Sequence, residues 1–285
     1  MIQKVSGDPG HREVDMSGSA KKVDAEERRR RGMALYRDIM AVEPTEPATP
    51  RAATLIDFVF AEIWSRPGLD LRSRRLIAMS CAAGADAHST LADHFYAALK
   101  TSQFTVDELD EFILHFAVYC GWPKAEVTET ILKEQLVRLH AEGVAVVSRR
   151  FPQPLSAAPA DQELRKLGGE QCFREVNCCD APPRGVPYYE YGILNFVFGE
   201  MWRRPGLNRR DRRWITLACV GLDDTIIPIQ SHVYSAMKSG DITYDEMREL
   251  VLQFAPHSGW PKAQFIQQTV DEMYERIGGE ASIEP

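Results

Sequence analysis

Apolar residues recur along this chain at the three- and four-residue spacing of an amphipathic helix, as at Leu91, Phe95, Ala98 and Leu99. No alternating run is long enough to suggest a sheet. The residues between these stretches agree. A helix near 52–65 stops at Arg66-Pro67-Gly68, because proline and glycine end helices. Asp70 offers an N-cap to the next helix, about 71–84, and another spans about 88–101. Thr105-Val106-Asp107-Glu108 has the form of a capping box, in which a hydroxyl and a carboxylate reciprocally satisfy free backbone N–H groups. The helix it opens closes at Gly121, and Pro123 starts the last one. With a helix from about Ala25 to Met40, this makes about six helices and predicts an all-α bundle.

The whole pattern then returns. Phe58-Val59-Phe60 and Glu62-Ile63-Trp64-Ser65-Arg66-Pro67-Gly68-Leu69 reappear as Phe196-Val197-Phe198 and Glu200-Met201-Trp202-Arg203-Arg204-Pro205-Gly206-Leu207. Gly121-Trp122-Pro123-Lys124-Ala125 reappears as Gly259-Trp260-Pro261-Lys262-Ala263. Both offsets are 138 positions (196 − 58; 259 − 121), and about 31 of the 68 positions from 58 to 125 are identical without a gap. A repeat of this kind fixes architecture ahead of propensity. The N-terminal helix repeats too, one residue short: Tyr36-Arg37-Asp38-Ile39 matches Phe173-Arg174-Glu175-Val176 (173 − 36 = 137). The expected organisation is a disordered polar tail, 1–23, then two homologous helical-bundle domains, 24–142 and 161–278, joined by a proline-bearing linker, 143–160. Pro256 falls inside the fifth helix of the second copy, where it should kink or loosen that helix.

Composition narrows the class. With 44% hydrophobic and 26% charged residues the chain reads as a soluble globular protein. A net charge of −7 and a pI near 5.6 argue against a nucleic-acid binder. No run reaches 18 apolar residues and the N-terminus lacks an apolar signal stretch, so no membrane association and a cytoplasmic location are expected. None of the six cysteines stands in a Cys-x-x-Cys pair. Cys81 and Cys219 occupy equivalent apolar positions and read as core residues. Cys172, Cys178 and Cys179 carry no recognisable motif. No His, Asp and Glu cluster has metal-ligand spacing.

The stretch Glu62 to Leu76, then His94-Phe95-Tyr96-Ala97-Ala98-Leu99, then Thr105-x-x-Glu108-Leu109-x-Glu111, then His115 to Ala125, resembles the carboxymuconolactone decarboxylase family of the alkylhydroperoxidase-D-like superfamily. The order and spacing, present twice, carry the resemblance. The peroxidase branch of that superfamily uses Cys-x-x-Cys-x-x-x-His with a glutamate twelve residues before the first cysteine. Anchored on His94, those places hold Ala87, Thr90 and Arg75; anchored on His232 they hold Thr225, Pro228 and Arg213. Peroxide reduction at that place lacks both its thiolate and its resolving partner. The decarboxylase branch carries arginine at the glutamate position, as here. The resemblance implies a cofactor-free lyase acting on a small carboxylated lactone or related ring compound, in aromatic-compound breakdown.

Such a reaction needs a cation for the carboxylate, a donor for charge developing on the lactone carbonyl, and a proton source. Arg75 and Arg213 suit the first need. His94 and His232 suit the last, an imidazole being readily tuned near neutrality. His115 and Tyr119 share a stripe on the fifth helix and can donate to an oxyanion; the second copy has Gln253 and His257 there, so the two sites are expected to be unequal, with the first copy nearer the decarboxylase pattern. Glu62 and Glu200, Trp64 and Trp202, and Arg66 flank the Arg-Pro-Gly turn. They are candidate substrate contacts, set against structural readings: glutamates paired with arginines such as Arg66, Arg72 or Arg74, and tryptophans as packing anchors. Two other functions compete with the lyase: a peroxidase-like protein using other thiols such as Cys81 or Cys120, and a non-catalytic oligomer. The resemblance further implies a homotrimer forming a six-domain ring.

Overall fold

The computed structural model describes residues 24–148, 158–223 and 225–281. The expected tail, 1–23, and half of the expected linker, 149–157, lie outside the described residues. α1 spans Ala25–Met40. A short α2, Pro50–Thr54, runs into a π-helical segment, π1, Leu55–Trp64. α3 (Leu71–Gly84), α4 (His88–Lys100), α5 (Val106–Cys120) and α6 (Trp122–Ala141) complete the first repeat. The second runs α7 (Gln162–Asn177), π2 (Tyr188–Val197), a 3₁₀ turn at Met201–Arg203, α8 (Arg209–Leu222), α9 (Ile226–Lys238), α10 (Tyr244–Ser258) and α11 (Trp260–Ala281). Among the described residues every regular element is helical, and the fold is all-α. The starts of α8 to α11 each lie 138 residues beyond those of α3 to α6 (for instance 209 − 71).

Local signals hold where chemistry is local. Asp70 and Asn208 accept from Ser73 N and Asp211 N, capping α3 and α8. Both capping boxes close, at Thr105 with Glu108 and at Thr243 with Glu246. Gly121 and Gly259 adopt φ of 91° and 96° after α5 and α10. Lys124 Nζ donates to Gly84 O at 2.5 Å and Lys262 Nζ to Leu222 O at 2.7 Å, satisfying carbonyls at the ends of α3 and α8. The Gly-Trp-Pro-Lys segment is therefore a joint between helices. α10 runs through Pro256, in its last turn, to Ser258 without a break.

The helix expected near 52–65 is where the structure departs from a regular reading. Its greater part is π-helical in both repeats, a geometry that recurs near functional sites. α1 lies against π1 so tightly that a Cβ on Gly32 would stand 2.2 Å from Ile56 O, and α7 repeats this at Gly169 with Leu194 O. Glycine is required there by backbone contact. Arg29 completes the joint through a bidentate pair with Asp57.

One continuous apolar core includes residues of both repeats, among them Leu76, Phe95, Phe112 and Phe116 with Trp214, Ile215, Val233 and Phe254. α3 packs on α8 and α10, and α8 packs on α3 and α5. The ion pairs across this joint are reciprocal. Arg66 and Arg74 reach Glu249, at 2.5 and 3.0 Å, while the equivalent Arg204 and Arg212 reach Glu111. Equivalent residues thus exchange partners, as at an isologous interface.

Candidate functional site

The fifth helix of each repeat crosses into the other. The sequence placed His115 and Tyr119 with Arg75 and His94; the structure instead places them beside the second repeat's Trp202 and His232. Two composite sites result.

The first site comprises Arg75 on α3, His94 on α4, Trp64 at the end of π1, and His257 from α10. Arg75 is wholly buried and His94 is 3% exposed. The Arg75 guanidinium donates through Nη2 to Ile39 O at 2.6 Å, through Nε to Gln103 Oε1, and through Nη1 to His94 Nδ1 at 3.4 Å. All three partners are uncharged, and among the described residues no carboxylate pairs with it. Burial pushes its pKa down to about 10, which leaves it charged at neutral pH. The indole of Trp64 stacks between Phe60 and His94, at 5.8 Å from each ring. The His257 ring lies 6.2 Å from that of His94, and its Nε2 is buried without a hydrogen-bond partner.

Burial, then the positive charge of Arg75, hold His94 well below the ordinary imidazole pKa. It is neutral in the free protein, so it is not the ready imidazolium that a tuning toward neutrality would give. Because Nδ1 faces an arginine N–H, that nitrogen accepts and Nε2 carries the proton. His257 is likewise lowered, to about 4, by burial.

The second site has the same frame and different chemistry. Arg213 is wholly buried and donates through Nη2 to Val176 O at 2.5 Å, the counterpart of Ile39 O. Where the first site has Gln103, the second has Asp241, whose carboxylate meets Arg213 Nε at 3.1 Å. Nη1 donates to Ser235 Oγ at 3.1 Å rather than to histidine, and His232 Nδ1 is left without a partner. Trp202 Nε1 donates to Tyr119 Oη at 3.1 Å, and the Tyr119 ring meets the edge of His232 at 5.6 Å. Burial, then Arg213, lowers His232 to about 3.

His115 is fully engaged elsewhere. Its Nδ1 accepts from Arg212 Nη1 at 3.3 Å and its Nε2 meets Thr216 Oγ1 at 3.0 Å, so both nitrogens serve the joint between repeats. Arg66 also belongs to that joint, through Glu249. Glu62 pairs with Arg28 of α1 at 2.7 Å rather than with Arg66, Arg72 or Arg74. Glu200 is 5% exposed, faces Arg165 at 3.4 Å, and has a carboxyl raised by burial. Sequence reading missed Gln103 and Asp241. The available signal was an amide opposite an acid at one repeat position, but nothing tied that position to the arginines.

Cys81 and Cys219 are in the core, where burial pushes Cys81 up to about 12 and holds Cys219 well above the ordinary thiol value. A thiol so placed is not a thiolate at neutral pH. Among the described residues no group of three or more His, Cys, Asp or Glu could hold a metal ion, and no helix is long and apolar enough to cross a membrane.

Comparison with known proteins agrees with this frame. Residues 51–134 match the profile of the Carboxymuconolactone decarboxylase family. A 4-carboxymuconolactone decarboxylase of Acinetobacter baylyi is 30% identical over 89 residues, which is 30% of this chain and 63% of that protein. A nitrosuccinic acid decarboxylase of Metarhizium robertsii is 30% identical over 100 residues, 32% of this chain and 69% of the relative.

Proposed function

Since this chain belongs to the carboxymuconolactone decarboxylase family, whose relatives here are both decarboxylases, we propose that it is a cofactor-independent carboxy-lyase acting at the Arg75–His94 site on a small carboxylated lactone or related compound. The observation that carries this reading is the Arg75 guanidinium, buried, charged and matched only by neutral partners. A buried cation without a counter-charge is costly, and an incoming carboxylate removes that cost. The two relatives are named for compounds that combine a carboxyl group with an electron-withdrawing function, a lactone in one and a nitro group in the other.

The chemistry follows from the residues. Arg75 holds the carboxylate through its Nη1 edge, where its partner is an imidazole nitrogen rather than an oxygen. The carbon–carboxyl bond breaks and CO₂ leaves. The electron pair passes through the conjugated ring to the lactone carbonyl oxygen, giving a dienolate. In this reading His94 Nε2–H donates to that oxygen. The carbanionic carbon then takes one proton, drawn in net from solvent. In this reading His257, whose buried Nε2 has no hydrogen-bond partner, relays it. Trp64 supplies a flat apolar wall.

The test is CO₂ release by purified protein, without added metal or cofactor, from γ-carboxylated unsaturated lactones and a nitro dicarboxylic acid. Turnover of one class is expected, with Arg75→Met and His94→Gln abolishing it while the fold persists by circular dichroism. Absence of CO₂ release from the whole set by the wild type would overturn the proposal.

A further inference from the structure

We infer that Asp241 is an internal counter-ion that closes the second site to anionic substrates, so that each chain binds one carboxylate, at Arg75, and the residue at the Gln103/Asp241 position decides which site can do so. The inference rests on Arg75 being the carboxylate site.

The two arginines hold the same repeat position, are both wholly buried, and differ in their partners. Ile39 O and Val176 O take one terminal nitrogen of each. The next partner is an amide oxygen at Gln103 and a carboxylate at Asp241, and these are the same repeat position (241 − 103 = 138). The Asp241 side chain is 10% exposed, and its other oxygen faces Arg209 at 2.7 Å; Arg209 is 46% exposed and therefore largely compensated by water. The buried pair is Arg213 with Asp241. Ser235, standing where the first repeat has Ala97, takes the remaining Nη1 edge. Every Arg213 terminal nitrogen thus ends on an oxygen and its charge is matched. A substrate carboxylate entering there would sit beside Asp241, and two carboxylates sharing one poorly hydrated site repel strongly. At Arg75 the same approach meets no negative charge, and an edge that only an imidazole nitrogen engages.

The test is calorimetric titration with saturated γ-butyrolactone γ-carboxylate, which lacks the double bond needed to delocalise the leaving pair and so stays intact. The wild type is expected to bind one equivalent per chain. The reciprocal exchange should move that number in opposite directions. Asp241→Gln with Ser235→Ala should bring it to two, and Gln103→Asp should weaken the one site at least about tenfold, the equivalent of one pK unit of interaction. Two equivalents bound by the wild type would overturn the inference and leave the carboxylate reading of Arg75 standing. No binding by the wild type would overturn that reading itself. If the Asp241 variant does not fold, unchanged affinity in folded Gln103→Asp protein overturns the inference just as well.

Discussion

The two sites share a scaffold and differ in charge. Each has an arginine under the same backbone carbonyl, a histidine one helix away and a tryptophan at the same turn. In the first, the arginine is answered by Gln103, Ile39 O and His94; in the second, by Asp241, Val176 O and Ser235. Buried charge is where small changes matter, because a low-dielectric interior magnifies the difference between an amide and a carboxylate. Two repeats with the same packing can therefore differ in what they hold, and resemblance between them is weak evidence that both act.

The largest expected break in the comparison comes from neutralising each arginine. Arg75→Met should lower decarboxylation more than about a hundredfold, the size of losing one aimed donor in a site of this kind. It should not lower the melting temperature, because it removes an uncompensated buried charge. Arg213→Met should do the reverse to stability, costing about 1–3 kcal/mol by urea unfolding, since Asp241 keeps only Arg209. Equal stability loss in both variants would erase the distinction between the sites.

A second effect tests the joint that assembles both sites. Glu111 is 3% exposed and holds Arg204 and Arg212; Glu249, part-buried, holds Arg74 and the half-exposed Arg66. Glu111→Gln should cost about 3 kcal/mol and Glu249→Gln less, because breaking a buried pair leaves its partner uncompensated. Chemical denaturation of the two variants gives the order directly.

A smaller effect is acid sensitivity. His94, His115, His232 and His257 all have pKa values below their unfolded value near 6.5, with His232 at about 3 and His257 at about 4. Between those limits the unfolded chain binds protons that the native state does not, so stability falls as pH drops from about 6.5 toward 4. The slope is at most about 1.4 kcal/mol per pH unit for each histidine. His257→Gln should flatten the curve; a stability profile level from pH 7 to 5 would contradict the burial of these imidazoles. The smallest effect concerns thiols. Brief iodoacetamide treatment of native protein should label exposed Cys179 and spare Cys81 and Cys219 by peptide mass analysis, with activity retained.

The helices, their caps and the joints between them were legible in the sequence because each depends on residues within a turn or two. Asp70 caps α3, Thr105 and Glu108 close their box, and Gly121 ends α5 with no help from distant chain. The repeat made the same reading available twice, and the family resemblance rested on that order. π1 was not legible: hydrophobic spacing over 52–65 cannot separate an α-helix from a π-helix, and the close backbone contact of π1 with Gly32 of α1 lies across the chain.

By itself, then, the sequence determined an all-α chain of repeated helices with arginine, histidine and tryptophan at matching places. Only the tertiary structure decided which of them meet. His257 joins His94 from 163 residues away (257 − 94), and Tyr119 joins His232 from 113 (232 − 119), because α5 and α10 pack across the joint onto α8 and α3. It also decided that Arg75 is uncompensated and Arg213 is matched. Local propensity follows from neighbours in the chain, whereas the state of a buried charge follows from neighbours in space, and packing alone supplies those.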